Sequence, residues 1–132
     1  MHDETRAPLR FGIAGAGAIA RRFCRDVNGH ARGAEVVAIA ARDQGRADEF
    51  ARDLGLPHAY GSYEALAASP EVEAVYVAVI HPEHAGLVRQ MLLAGKHVLV
   101  EKPAVTRVAD WDALVALAHA RGLLLDRKST RL

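Results

Sequence analysis

The feature that most limits what this chain can fold into is the turn Gly15-Ala16-Gly17-Ala18-Ile19-Ala20, set between an apolar run and an amphipathic segment. Leu9 to Ala14 (LRFGIA) reads as a short strand. From Ala18 the apolar residues Ile19, Phe23 and Val27 recur at spacings of four, which predicts a helix. A G-x-G-x-x-A turn in that setting has a mechanical meaning. Gly15 permits the tight turn, Gly17 removes the side chain that would block a pyrophosphate, and Ala20 lets helix and strand pack closely. The free N–H groups and the positive dipole end of the helix, at Gly17, Ala18 and Ile19, then face the phosphates.

The same alternation continues along the chain. Glu35 to Ala41 (EVVAIAA) is a second strand, and Ala47, Phe50, Ala51 and Leu54 mark one face of a second helix. His58 to Tyr60 is a short strand, after which Ser62 can cap a short helix through Ala68. Ala74 to Ile80 (AVYVAVI) is an unbroken apolar run, as a central parallel strand covered on both faces requires. His84 to Ala94 reads as a helix stopped by Gly95, and His97 to Val100 as another buried strand. Thr106 can cap a helix whose Val108, Trp111, Val115 and Ala118 share one face, with Gly122 as its stop; Leu123 to Leu125 begins a last strand. The fold class is therefore α/β, a Rossmann-type doubly wound parallel sheet with right-handed crossovers and helices on both faces. Ligands of such sheets bind at the carboxyl ends of the strands, where the strand order reverses.

With 132 residues, 51% of them hydrophobic, the chain suits one compact domain and leaves no room for a second. Seventeen basic residues (17) against sixteen acidic ones (16) give a net charge of +1, so a general attraction to nucleic acid or to an anionic membrane is not expected. Met1 to Pro8 is polar and lacks the apolar centre of a signal peptide, and no later run is long enough to cross a bilayer. The cytoplasm is the expected location. Cys24 falls beside Ile19, Ala20 and Phe23 on the first helix and reads as a small packing residue.

An NAD site normally carries Asp or Glu at the end of the second strand, where it accepts hydrogen bonds from the adenosine ribose. Here that strand ends Ala40-Ala41-Arg42, and a guanidinium suits a bidentate grip on a 2′-phosphate, which favours NADP over NAD. Asp43 could meet the ribose or cap the next helix; Arg46 is either a second phosphate contact or a solvated helix residue. Glu101 and Lys102, at a strand end, read by themselves either as a solvated charge pair or as site residues. His81 and His84 have metal-like spacing, but no cysteine or carboxylate cluster completes a coordination set, so no metal is expected.

Three further signatures accompany the turn: His81-Pro82-Glu83-His84 after the fourth strand, the run Ala94-Gly95-Lys96-His97-Val98-Leu99-Val100-Glu101-Lys102-Pro103, and Gly61-Ser62-Tyr63-Glu64. Together they resemble the N-terminal domain of the Gfo/Idh/MocA oxidoreductase family, over about Leu9 to Leu125. Within it the chain is most similar to the branch of dimeric dihydrodiol dehydrogenases and NADP-dependent xylose dehydrogenases. The resemblance implies that Glu101 and Lys102 sit beside the nicotinamide, with Lys102 contacting the substrate hydroxyl or nicotinamide ribose as the catalytic residue. An ammonium suits that role because charge builds on an oxygen as hydride moves. It also implies that His81 touches the cofactor ribose and that His84 matches a family histidine at a helix start. Val79-Ile80 stand where many relatives have Thr-Pro, so the cofactor contact at Val79 lacks that threonine's hydroxyl.

Members of this branch continue into a second domain that carries an acid/base residue, selects the substrate and forms a dimer interface. The expected organisation here is a flexible leader over 1–8, a dinucleotide-binding domain over 9–125, and a non-native tail over 126–132. The tail, Asp126-Arg127-Lys128-Ser129-Thr130-Arg131-Leu132, is a charge run that contradicts a continuing apolar strand, and it looks like a translated sequencing adapter. The parent protein is then an NADP-dependent dehydrogenase, a homo-oligomer acting on a CH–OH group of a small-molecule sugar, polyol or dihydrodiol. The chain alone is expected to bind the nicotinamide dinucleotide and to turn over little. The alternative is a non-catalytic NADP(H)-binding module or docking subunit.

Overall fold

The computed structural model describes residues 7–79, 84–101 and 108–128, the side chains of His84, Glu101, Val108 and Lys128 excepted. Six strands, β1 (Leu9–Ala14), β2 (Ala34–Ala40), β3 (His58–Tyr60), β4 (Ala74–Val77), β5 (His97–Glu101) and β6 (Leu125–Lys128), form one sheet. Five helices connect them: α1 (Ala18–His30), α2 (Gln44–Leu54), α3 (Tyr63–Ala68), α4 (His84–Leu93) and α5 (Val108–Ala120). The sheet order is β3-β2-β1-β4-β5-β6 and every pairing is parallel. This is the doubly wound arrangement, and its order reverses between β1 and β4, side by side at the centre.

A separate hydrophobic layer covers each face. On one, Ala20, Phe23 and Cys24 of α1 and Ala47, Phe50 and Ala51 of α2 pack on Ile13, Val36, Ile39 and Tyr76 of the sheet. Phe23 stacks on Tyr76 with ring centroids 4.0 Å apart. On the other, α3, α4 and α5 bring Leu66, Leu87, Val88, Met91, Leu92, Leu114 and Ala118 onto Ala38, Ala40, Val75, Val77, Val98 and Val100. All four residues of β4 are buried, as a strand with helices on both sides must be. The β1–β2 register shifts between Phe11 and Gly12, whose partners are Val36 and Ala38, so Val37 is an extra residue. That bulge is why Val37 and Ala38 both join the α3–α5 layer. Small residues are needed there: a Cβ on Gly12 would lie 2.6 Å from Leu66 Cδ1.

The amino edge of the sheet is held by Lys96. Its buried ammonium donates to the carbonyl oxygens of Ser69 (2.7 Å) and Val72 (2.6 Å), tying the start of β5 to the α3–β4 connection. Burial, with Arg10 adding to it and Glu73 opposing, holds the Lys96 pKa below its ordinary value of 10.5. The unfolded chain therefore keeps this proton to higher pH, and the group's contribution to stability rises as pH climbs toward 10.5.

Several expectations are corrected. In α5 the core side chains are Leu114 and Ala118, with Trp111 and Leu117 packed beside them, whereas Val115 is 41% exposed. Ala113 to Ala118 is apolar throughout, so spacing alone could not choose the inward face. Ile19 is 46% exposed and does not join Phe23 in the core; its neighbour Ala20 takes the buried position in the first turn of α1. The fourth strand ends at Val77, with Ala78 and Val79 beyond it; Ile80 and Thr106 lie outside the described residues. The last strand is longer than its apolar portion: Asp126, Arg127 and Lys128 pair with Leu99, Val100 and Glu101. Parallel pairing uses backbone groups, so exposed side chains do not end this edge strand. Arg127 lies over the Trp111 ring at 4.8 Å.

Leu92→Ala is expected to lower unfolding stability by about 2–5 kcal/mol, and Val115→Ala by about 0.5 kcal/mol or less, in denaturant titrations. Equal costs would return Val115 to the core. Lys96→Met leaves Val72 O without its donor and Ser69 O with only Val72 N–H at 3.3 Å, and is expected to cost about 1–3 kcal/mol, with a smaller stability gain than the parent as pH climbs toward 10.5.

Candidate functional site

The carboxyl ends of β1, β2 and β4 converge on the glycine turn. Gly15 N–H donates to Ala40 O (2.9 Å) on β2, and Ala78 N–H donates to Ala14 O (2.8 Å) on β1, so one turn is fastened to both neighbours. Gly15 has φ of +109°, and a Cβ there would lie 2.8 Å from Ala78 O and 3.1 Å from Val79 N. Only glycine satisfies both the conformation and the approach. Val79, partly buried against the core, is thus placed beside the turn.

Burial then alternates along the motif. Gly15 and Ala20 are buried, and Gly17, Ala18 and Ile19 between them are exposed. Gly17 is the N-cap of α1 and offers no side-chain cap; the first helical bond runs from Arg21 N–H to Gly17 O at 3.1 Å. Among the described residues nothing accepts from the N–H groups of Ala18, Ile19 or Ala20. A Cβ on Gly17 would meet nothing within 4 Å, so the space in front of these donors is open. A 13-residue helix with bare, outward N–H groups and a cleared approach suits an anion.

Arg42 follows β2 on the surface. Asp43 is the N-cap of α2, its carboxylate accepting from Gly45 N–H at 3.3 Å, which answers one of the two readings open for that residue. Arg46 is exposed in the first turn of α2. Next to β2 the end of β3 leads into α3, whose Ser62 cap accepts from Ala65 N–H at 3.1 Å. A cleft of about 540 Å³ opens here, lined by Arg42, Gly61, Tyr63 and Glu64 and, from α4, by Gly86 and Gln90. Arg42 lies over the Tyr63 ring with its guanidinium carbon 6.0 Å from the centroid. Burial pushes the Tyr63 phenol upward while the charges of Arg42 and Arg46 oppose this, so it stays neutral near pH 7.

The structure therefore brings Gly15, Gly17, Ala18, Ile19, Ala20, Arg42 and Val79 to one edge of the sheet. Glu101 ends β5 at that same edge, in register with Lys128, and His84 begins α4. His81 and Lys102 lie outside the described residues. Residue spacing did not reveal Tyr63, Gly86 or Gln90 as part of a site. The signals available were the Gly61-Ser62-Tyr63-Glu64 signature and strand order, since pairing β3 with β2 brings Tyr63 to Arg42. Among the described residues no group of three His, Cys, Asp or Glu side chains could hold a metal ion, and no helix is long and apolar enough to cross a membrane.

A parallel sheet with this order and an open helix N-terminus at its reversal point defines the class of nicotinamide dinucleotide-binding Rossmann domains. Residues 9–127 match the Gfo/Idh/MocA oxidoreductase family, NAD-binding Rossmann fold, and the chain belongs to that family. It is 46% identical over 118 residues to trans-1,2-dihydrobenzene-1,2-diol dehydrogenase of Mus musculus, covering 89% of this chain and 35% of that protein. Among solved structures it resembles KijD10, a 3-ketoreductase from Actinomadura kijaniata in complex with TDP-benzene and NADP. The identity is 38% and the TM-score 0.85, over 91% of this chain and 38% of the other. Biliverdin reductase from Synechocystis sp. PCC 6803, in complex with biliverdin and NADP+, gives 31% identity and a TM-score of 0.82 over 92% and 38% of the two chains. The chain thus spans about a third of the length of the curated relatives it matches.

Gly15→Ala is expected to destabilise the fold by at least about 1–3 kcal/mol, through φ strain and the clash with Ala78. Gly17→Ala, which meets nothing, is expected to stay within about 0.5 kcal/mol of the parent in thermal or denaturant unfolding.

Proposed function

We propose that the chain binds NADP(H) along the carboxyl edge of its sheet, as the cofactor half of an oxidoreductase acting on a CH–OH group of a sugar, polyol or dihydrodiol. The observation that carries this reading is the bare N-terminus of α1 behind Gly17, with Arg42 at the end of the adjacent strand where an NAD site would hold an acid. The pyrophosphate would lie on the N–H groups of Ala18, Ile19 and Ala20. The adenosine 2′-phosphate would meet Arg42, with Arg46 one turn away, while Val79, His81 and His84 would line the path toward the nicotinamide.

When bound, the nicotinamide supplies or accepts the hydride. Lys102, next to the strand-end residue Glu101, would polarise the substrate oxygen, since an ammonium stabilises the charge that grows there. Selection of substrate, exclusion of water and subunit assembly would come from the remainder of a protein of the relatives' length, so this chain alone would be a binding domain with little turnover. NADP in the 3-ketoreductase and biliverdin reductase structures supports the cofactor of this reading, and the names dihydrodiol dehydrogenase and 3-ketoreductase support its CH–OH chemistry.

Calorimetric titration with NADP+ and NAD+ in parallel tests the proposal. NADP+ is expected to bind more tightly. Arg42→Ala should weaken NADP+ by roughly tenfold or more, the worth of a hydrogen bond to a charged group, and change NAD+ little. Gly17→Ala, with its fold intact, should weaken both. A folded chain that binds neither dinucleotide would refute the reading.

A further inference from the structure

The cleft beside Arg42 is braced from both sides. Ala41 N–H donates to Tyr60 O at 3.1 Å, joining the ends of β2 and β3. Gln44 Nε2 donates to Ala59 O at 3.2 Å and to Asp48 Oδ1 at 2.8 Å. Gly61 lies so near Gln44 that a Cβ would be 2.8 Å from its side-chain oxygen and 3.2 Å from its Cα. The turn bearing Arg42 and the segment bearing Tyr63 are thus fastened at a set distance, and the Ser62 cap fixes the first turn of α3 in which Tyr63 stands.

We propose that Tyr63 is a positioning residue for dinucleotide selection: its ring holds the Arg42 guanidinium at the cleft where the adenosine 2′-phosphate would sit. This rests on the reading of Arg42 as the phosphate contact. An exposed arginine loses much of its rotamer freedom when fixed, and a side chain already held by a ring loses less on binding. A ring face engages the flat face of a guanidinium, whereas an anion is met at its in-plane N–H edge. Glu64 lines the same cleft and would offer a loosened Arg42 a competing carboxylate. Asp43, the nearer acid in sequence, is already engaged by Gly45. The electrostatic influence of both Arg42 and Arg46 on the Tyr63 phenol places the three side chains in one neighbourhood.

The test titrates the full chain and its Tyr63→Phe, Tyr63→Leu and Arg42→Ala variants with NADP+ and with NAD+. Tyr63→Phe keeps the ring and is expected to retain the parent's NADP+ to NAD+ affinity ratio. Tyr63→Leu is expected to reduce NADP+ affinity by roughly two- to fivefold, the worth of an exposed cation–π contact, with NAD+ affinity unchanged. Tyr63→Gln, of similar reach and without a ring, is read in the same way should Tyr63→Leu not fold. An unchanged ratio without the ring, an equal loss of both dinucleotides, or a Phe variant as impaired as the Leu variant would each overturn the proposal. An unchanged ratio in Arg42→Ala would instead defeat the assignment of Arg42 itself.

Discussion

The site depends on one close approach, that of Gly15 to the backbone of Ala78 and Val79 where β1 and β4 lie side by side. Two strands from the two halves of the sheet meet there, and their following segments diverge to opposite faces. The turn after β1 can come this close to the end of β4 only because no Cβ stands at the junction. The same contact directs the chain after Gly15 outward, which leaves the first turn of α1 bare and the N–H groups of Ala18, Ile19 and Ala20 toward open space. The proposed anion site is thus a consequence of how two strands are packed, before any charged side chain is involved.

The two hydrophobic layers keep that junction in place by unlike means. On the α1–α2 face large residues interlock, with Phe23 stacked on Tyr76 and Phe11 set edge-on to Phe23 at 5.7 Å. On the other face Gly12, Ala14, Ala38 and Ala40 form a shallow floor that brings Leu66 of α3 close to the sheet. The short α3 could not reach the sheet over larger side chains, and its closeness brings Tyr63 to the cleft. Packing volume in the core therefore determines where a surface aromatic stands.

Charge within the site follows the same economy. The end of β2 carries a cation in place of an acid, the next residue in the chain, Asp43, is occupied as a helix cap, and the neighbouring helix start supplies a neutral aromatic. An anion reaching this corner meets two guanidinium groups, Arg42 and Arg46, and a phenol that stays protonated. At the opposite edge of the sheet Lys96 is buried against two carbonyls and takes no part in this field.

The order of strands and helices, the glycine turn and the arginine after β2 were legible in the residues themselves. Each is a local property: apolar spacing sets the elements, the absence of a Cβ sets the turn, and a side chain next to a strand end lies at the sheet's edge. The inward face of α5 was not legible, because its central stretch, Ala113 to Ala118, is apolar throughout and carries no period to read. Nor was the reach of β6, where backbone pairing to β5 proceeds under charged side chains. The exposure of Ile19 and the meeting of Arg42 with Tyr63 also required the tertiary structure. Such facts belong to pairs of segments far apart in sequence, and strand order and packing distance decide them, where spacing along one segment cannot.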